Sequence, residues 1–394
     1  MPSSRADIGD EAPSPLRYRP FVLMLIASAG TFSGFSLLLP VVPMWAVEQG
    51  AGPVIAGAST GVFMASTVLV QFVVPAFVRS FGYRAGLVLG AALIGLPASL
   101  LTVFPSAAAI LGLSFVRGLG FGLITVCGSA LVAELLPRGS LARGSGLYGL
   151  AAGAPQLVGL PLGPAVAENW GFVPVFVLAT ALPVVAIVPL LGLPRTYPRT
   201  ATSRTGLRGA ADVVTATWRP WLPMFAVSTG YGALATFLPI VLAPSVATIA
   251  LLLTPGTAML ARWLAGHFGD RIAVPGRLLL PALAAGATGL LLFGLVAESD
   301  GWMVAAVVAV AVFGVGFGAV QNDALVVMFA RAPAAQASVA WNVAYDAGQG
   351  IGAVAVGAVI SATTVGAGFG LLGVAALTAL PVAWKAGGRG RRGD

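Results

Sequence analysis

Twelve separate stretches of this chain are apolar over about 20 residues or more, long enough to cross a bilayer as helices. They run over 20–47, 54–78, 85–104, 106–132, 144–167, 172–194, 220–241, 245–265, 278–297, 302–330, 337–361 and 364–384. Little chain is left between them, and the connection at 242–244 is the weakest break. The residues that a water-facing surface needs are scarce. Apolar side chains make up 58% of the chain and charged ones only 9%, against about 25% charged in soluble domains. The expected fold is all-α integral membrane, with twelve transmembrane helices. The first apolar stretch exceeds the apolar region of a signal peptide and lacks a small-residue cleavage site, so it is expected to stay as the first helix.

The basic residues order these spans. Arg5, Arg17 and Arg19 precede the first span, and Arg79 and Arg84 follow the second. Arg138 and Arg143 follow the fourth, and Arg195, Arg199, Arg204, Arg208 and Arg219 the sixth. Arg271, Arg277, Arg331, Lys385, Arg389, Arg391 and Arg392 continue the alternation. The intervening connections hold only Glu48, Glu168, Glu298 and Asp300. By the positive-inside rule both termini are expected in the cytoplasm, with the chain in the cell's inner (plasma) membrane. The net charge of +8 then reflects topology and contact with anionic lipid, not nucleic-acid binding.

The long basic connection divides the chain. A cytoplasmic tail (1–19), a bundle of six spans (20–194), a linker (195–219), a second six-span bundle (220–384) and a tail (385–394) are expected. The halves are related. Gly118-Leu119-Gly120-Phe121-Gly122 recurs as Gly314-Val315-Gly316-Phe317-Gly318, and Pro137 and Pro333 keep the same offset. Leu39-Pro40 returns as Leu238-Pro239, and Tyr148 answers Tyr345.

Six plus six spans with a cytoplasmic linker and pseudo-symmetric halves resemble the major facilitator superfamily. After the second span, Pro75 to Arg84 keeps the length of that family's loop motif together with Gly82 and Arg84, but Arg79 stands where the family has an acid. The second-half copy is fuller, with Arg262, Gly266, Asp270 and Arg271 at helical spacing. Gly149, Gly153, Gly159, Gly163 and Pro164 are similar to the antiporter motif of the fifth span, without its final paired glycines. The resemblance implies alternating access, with gating by Arg262, Gly266, Asp270, Arg271, Gly163 and Pro164, and it points to the proton-coupled drug and metabolite antiporters. Arg117 is similar to the family's membrane-embedded arginine.

Ionisable groups inside spans are costly and mark function by default. Arg117, Asp323 and Asp346 are such groups, and they are the candidates for proton coupling. Desolvation favours the neutral form of a carboxyl, which lets one load and release a proton. Asp346 lies among small residues in Trp341-Asn342-Val343-Ala344-Tyr345-Asp346-Ala347-Gly348. For both acids the alternative is a packing bond. Arg117 is an anion contact, a partner that tunes an Asp, or a donor to span-end carbonyls. Gln156, Gln321, Asn322 and Asn342 are candidate substrate contacts or interhelical glue; Tyr345 and Trp341 would stack on an aromatic or cationic ligand or fill the interface. The amide of Gln349 is a further polar group at this depth.

One histidine and one cysteine build no zinc or haem site and no internal disulfide. His267 is expected in the loop after the eighth span, and Cys127 packed within the fourth. No cofactor, metal or catalytic residue is expected, and the chain reads as a transporter, not an enzyme. A small organic solute, protons and membrane lipid are the expected partners of a monomer, with export by antiport as the leading direction. Import by symport is the alternative, and an intramembrane aspartyl enzyme built on Asp323 and Asp346 the remote one.

Overall fold

The computed structural model describes residues 14–137, 140–198, 207–272, 274–299 and 303–387; the side chains of 142, 207–211, 268–272, 334 and 335 lie outside that description. The expected tails at 1–13 and 388–394 are likewise outside it. The described chain is helical almost throughout. After a short 3-10 turn at Pro15–Arg17 come α1 (Arg19–Glu48), α2 (Gly52–Leu100), α3 (Ala107–Leu135), α4 (Leu141–Trp170), α5 (Phe172–Val185) and α6 (Ile187–Leu191). The second half contributes α7 (Leu207–Val241), α8 (Pro244–Ile272), α9 (Leu279–Val296), α10 (Met303–Phe329), α11 (Ala334–Ala362), α12 (Val365–Thr378) and α13 (Leu380–Ala386).

Sequence punctuation sets the ends. Proline occupies the first turn of α1, α2 and α13, where its missing N–H loses nothing. The hydroxyls of Ser106 and Thr364 accept from Ala109 N and Ala367 N, capping α3 and α12. Within the spans, hydroxyls return their protons to their own helix, as Thr31 Oγ1 does to the Ala27 carbonyl (2.8 Å). Apolar surroundings leave them few other acceptors. Among the described residues, eleven helical stretches, counting α5 with α6 and α12 with α13, are long and apolar enough to cross a membrane.

Four expectations about boundaries change. The break expected between 78 and 85 is a kink inside one 49-residue element, α2, at Gly82 (φ 79°, ψ 167°). The sixth and last spans are each interrupted near their ends, at Ala186 and Ala379. The expected linker is already helical from Leu207, so α7 starts well before residue 220. Finally, α8 runs on to Ile272, which puts His267 on the helix, its ring stacked on Trp263 (5.7 Å, 12°), and not in a loop.

The helices sort by packing. α1 packs on α4, α5 and α2, and α2 on α3. α7 packs on α11, α10 on α8 and α9, and α9 on α12. The two sets meet along α2 and α11, α4 and α8, and α1 and α7. The repeated glycines do equivalent jobs in each set. A methyl on Gly118 or Gly122 would run into α2, and one on Gly314 or Gly318 into α8; one on Gly120 would meet Gly90 and Leu93, and one on Gly316 would meet Gly286 and Ala282. The bends match as well: Gly82 and Gly276 (φ 86°) are both in the left-handed region that glycine tolerates. Each abuts a carbonyl at the end of its half, Thr196 O and Ala386 O.

One side of the molecule holds the start of α1, the Gly82 bend and the starts of α4 and α11; it is called the near side below. Arg79, Arg84, Arg143, Arg195, Arg277, Arg331 and Lys385 all fall toward it, whereas Glu48, Glu168 and Glu298 fall toward the far side.

Candidate functional site

The residues with most chemical potential lie where the two sets of helices meet. On the far side α2 and α11 are almost in backbone contact. A methyl on Gly57 would strike the Ala353 carbonyl, and one on Gly350 would crowd Met64 and the Gly61 carbonyl. That proximity carries α11 inward to bury Asp346, which is 3% exposed. Its Oδ2 accepts a 2.7 Å hydrogen bond from Gln71 Nε2 of α2. Asp346 is twelve residues from the start of α11, roughly 18 Å along the axis. Two more side-chain bonds cross the same junction: Tyr231 Oη donates to Gln156 Oε1 (2.9 Å), and the hydroxyls of Thr60 and Thr236 meet at 2.9 Å.

Next to Asp346 runs a column of aromatic rings. Trp341 and Tyr345, one turn apart on α11, lie nearly parallel at 5.4 Å. Tyr345 stacks on Phe317 of α10 (6.1 Å), and Phe317 on Tyr231 of α7 (4.6 Å). Trp341 and Tyr345 are both half-buried. At the near-side end of the column Arg262 of α8 places its guanidinium over Trp341, 5.6 Å from the ring centre, and donates to Gln321 Oε1 (3.2 Å). Trp341 Nε1 donates to the Gln321 backbone carbonyl (3.1 Å), so α8, α10 and α11 are knotted at one point. Gln321, Asn322, Trp341 and Tyr345 therefore gather in one place with Gln156 opposite. Asn342 does not join them through its amide, which donates to its own helix at Ser338 O.

Other expected site residues lie elsewhere. Asp323 does not meet Asp346. Its Oδ1 accepts from Gly276 N (3.0 Å) and its Oδ2 from Leu278 N (2.8 Å), so it anchors the turn that leads into α9. Its carboxylate sits where the positive end of that helix favours negative charge. Arg117 is also remote from Asp346. Buried at 3% exposure, it donates from Nε to the Ile94 carbonyl (3.3 Å) and lies 5.5 Å from the Phe63 ring centre. It borders a narrow hollow toward the far side, shared with Ser59, Thr60 and Ser114. Gly163 fits under the Leu37 carbonyl of α1, with Pro164 buried beside it, so this pair joins helices of one half. Gly266 faces Asn322, and Arg262 belongs to the aromatic column. The side chains of Asp270 and Arg271 lie outside the described residues.

Two residues were missed in the sequence reading. Gln71 is an amide in the apolar run Val68-Leu69-Val70-Gln71-Phe72-Val73, a polar break of the kind that marks Asp346. Tyr231 stands between Gly230 and Gly232, which hides it in a segment that reads as packing.

Solved structures with this arrangement are transporters. The chain is similar to a bacterial homologue of the human lysosomal transporter Spinster, solved inward-facing and occupied, with a TM-score of 0.72 at 15% identity over 95% of this chain and 96% of that one. It is similar to the xylose transporter XylE from E. coli in a partially occluded inward-open form (0.76, 13%, 94% and 98%) and to the nucleoside transporter NupG (0.74, 12%, 93% and 99%). No curated protein matches the sequence. The profile of the Major Facilitator Superfamily matches residues 24–354, and the chain belongs to that family.

Proposed function

We propose that the protein is a secondary active transporter that moves a small organic solute by alternating access, with Asp346 as the proton carrier and export by antiport as the direction. Twelve spans are part of the reading. At 1.5 Å per residue α2 is roughly 73 Å long, more than twice the hydrocarbon thickness, so its two parts on either side of Gly82 count as separate crossings. With the basic near side cytoplasmic, residues 20–194 and 220–384 become two six-helix bundles that rock about the junction.

The observation that carries the reading is the Gln71–Asp346 bond. A carboxylate at membrane depth is hydrogen-bonded across the two bundles, so rocking must break or re-form that bond. Protonation removes the charge that makes the bond strong, which ties proton loading to the choice between states. Gly159 and Gly163, which press α4 onto Ser36 and Leu37 of α1, keep the fifth span rigid in the manner expected of an exporter. The test is uptake into everted vesicles under an imposed proton gradient. Solute-dependent proton release from acid-loaded everted vesicles is the expected result; solute-driven proton entry in the same direction as solute would make it a symporter.

A further inference from the structure

We infer that the corner where α8, α10 and α11 meet takes an aromatic carboxylate, its carboxylate on Arg262 and its ring against Trp341 and Tyr345. This inference rests on the transporter reading and gives it a substrate class.

Arg262 is the starting point. It lies ten residues before the end of α8, at membrane depth, yet it is exposed. Three residues earlier Met259 faces Gly153 of α4, so this face of α8 borders the other half. A guanidinium carries five N–H donors in a planar fork. Gln321 Oε1 takes one of them, and no described carboxylate pairs with the group; Asp346 is bonded to Gln71 instead. When this corner closes over a solute and water leaves, a lone cation becomes costly, and an anion on the solute removes that cost. A carboxylate matches the fork with two parallel bonds. Asn322, half-buried on the turn that carries Gln321 and without a hydrogen bond among the described residues, offers an amide to the same group.

The ring follows from the same corner. Trp341 and Tyr345 are parallel within 13°, and Phe317 and Tyr231 continue the stack. A flat ring placed against half-buried Trp341 extends that series at the usual aromatic spacing. An ammonium ligand would gain from the rings but would face Arg262 with the same charge. A neutral ring would leave Arg262 unpaired. The aromatic anion alone satisfies both.

The experiment is equilibrium binding to the purified full-length protein without any gradient, with 1-naphthoate as probe against neutral 1-naphthamide, cationic 1-naphthylmethylammonium and non-aromatic cyclohexanecarboxylate. Expected is naphthoate bound about ten-fold or more tightly than the amide, since hydrogen bonds to a charged group carry that much, and tighter than the ammonium or the cyclohexane acid. Arg262→Gln should abolish the preference for naphthoate over the amide. Trp341→Leu should weaken every ring ligand and keep the preference. Should one variant fail to fold, the four ligands on the native chain still decide. Equal affinity for acid and amide, preference for the ammonium, no binding of naphthoate, or an Arg262→Gln protein that still prefers the acid would each overturn the inference. Because no transport is measured, a protein that couples solute to protons in vesicles but ignores naphthoate sinks the substrate class and leaves the transporter reading standing.

Discussion

Two carboxylates at similar depth behave as different objects once their partners are named. Asp346 has one bond, to a side chain on the opposite set of helices; Asp323 has two, to backbone N–H groups of its own set. Asp346→Asn should therefore fold, because an amide oxygen still accepts from Gln71, with a stability change of about 1 kcal/mol. Gradient-driven transport in vesicles should vanish while exchange without net proton movement survives. Accumulation against a gradient by the Asn protein would remove Asp346 from the mechanism. Asp323→Ala should act in the opposite way: two orphaned N–H groups cost about 2 kcal/mol or more, seen as a lower melting temperature, with coupling intact in the protein that remains. Sequence could not separate the two. Both read as an acid in an apolar run, and the difference lies in a turn that bends at Gly276, nearly 50 positions from Asp323.

At the scale of helices, most of the architecture was legible. Apolar length defines the spans, and the recurring Gly-x-Gly-x-Gly makes the same approach to the two parts of α2 on either side of Gly82 in one half and to α8 and α9 in the other. What periodicity could not supply was the facing of each helix, because small residues on several sides leave no single apolar stripe. Arg262 is the instructive case. Motif spacing grouped it with Gly266, Asp270 and Arg271 at helical spacing near the end of the eighth span, and could not show that its guanidinium lies over Trp341. The α2–α11 contact gives a prediction of its own. Gly57→Val drives a branched side chain into the Ala353 backbone, an overpacking that costs about 1–3 kcal/mol. It should hold the far side apart, so that a cysteine at Ser59, buried in the native protein, reacts faster with a water-soluble thiol reagent. Unchanged reactivity would mean that the seam does not close the far side.

For the whole molecule, the distribution of charge and the α2 bend make one joint statement about topology. With Cys127 replaced by serine, cysteines at Glu48, Glu168 or Ser299 should react with an impermeant reagent from outside intact cells. Those at Ser203 or Gly388, which lie outside the described residues, should react only from inside. One reversal would mean that α2 does not cross twice. The charge alternation was readable from sequence because loops carry it independently of packing. The junction was not, since three hydrogen bonds and a few glycine contacts between distant segments define it.

The glycine seam on the far side also constrains how the protein responds to temperature. Many of its contacts engage main chain, Gly57 on the Ala353 carbonyl, Gly61 on the Gly350 carbonyl and Gly357 on the Pro53 carbonyl, with the side chains of Val354, Met64 and Phe237 beside them. Parting such a joint wets peptide groups along with hydrocarbon. Apolar wetting raises heat capacity and polar wetting lowers it, so the two contributions to opening partly cancel. A gate closed by interlocking leucines would swing with a strongly curved free energy, tight when warm and loose when cold. This one is expected to open with a straighter temperature dependence, so that the same few hydrogen bonds keep a similar authority over it on a cold day and a hot one.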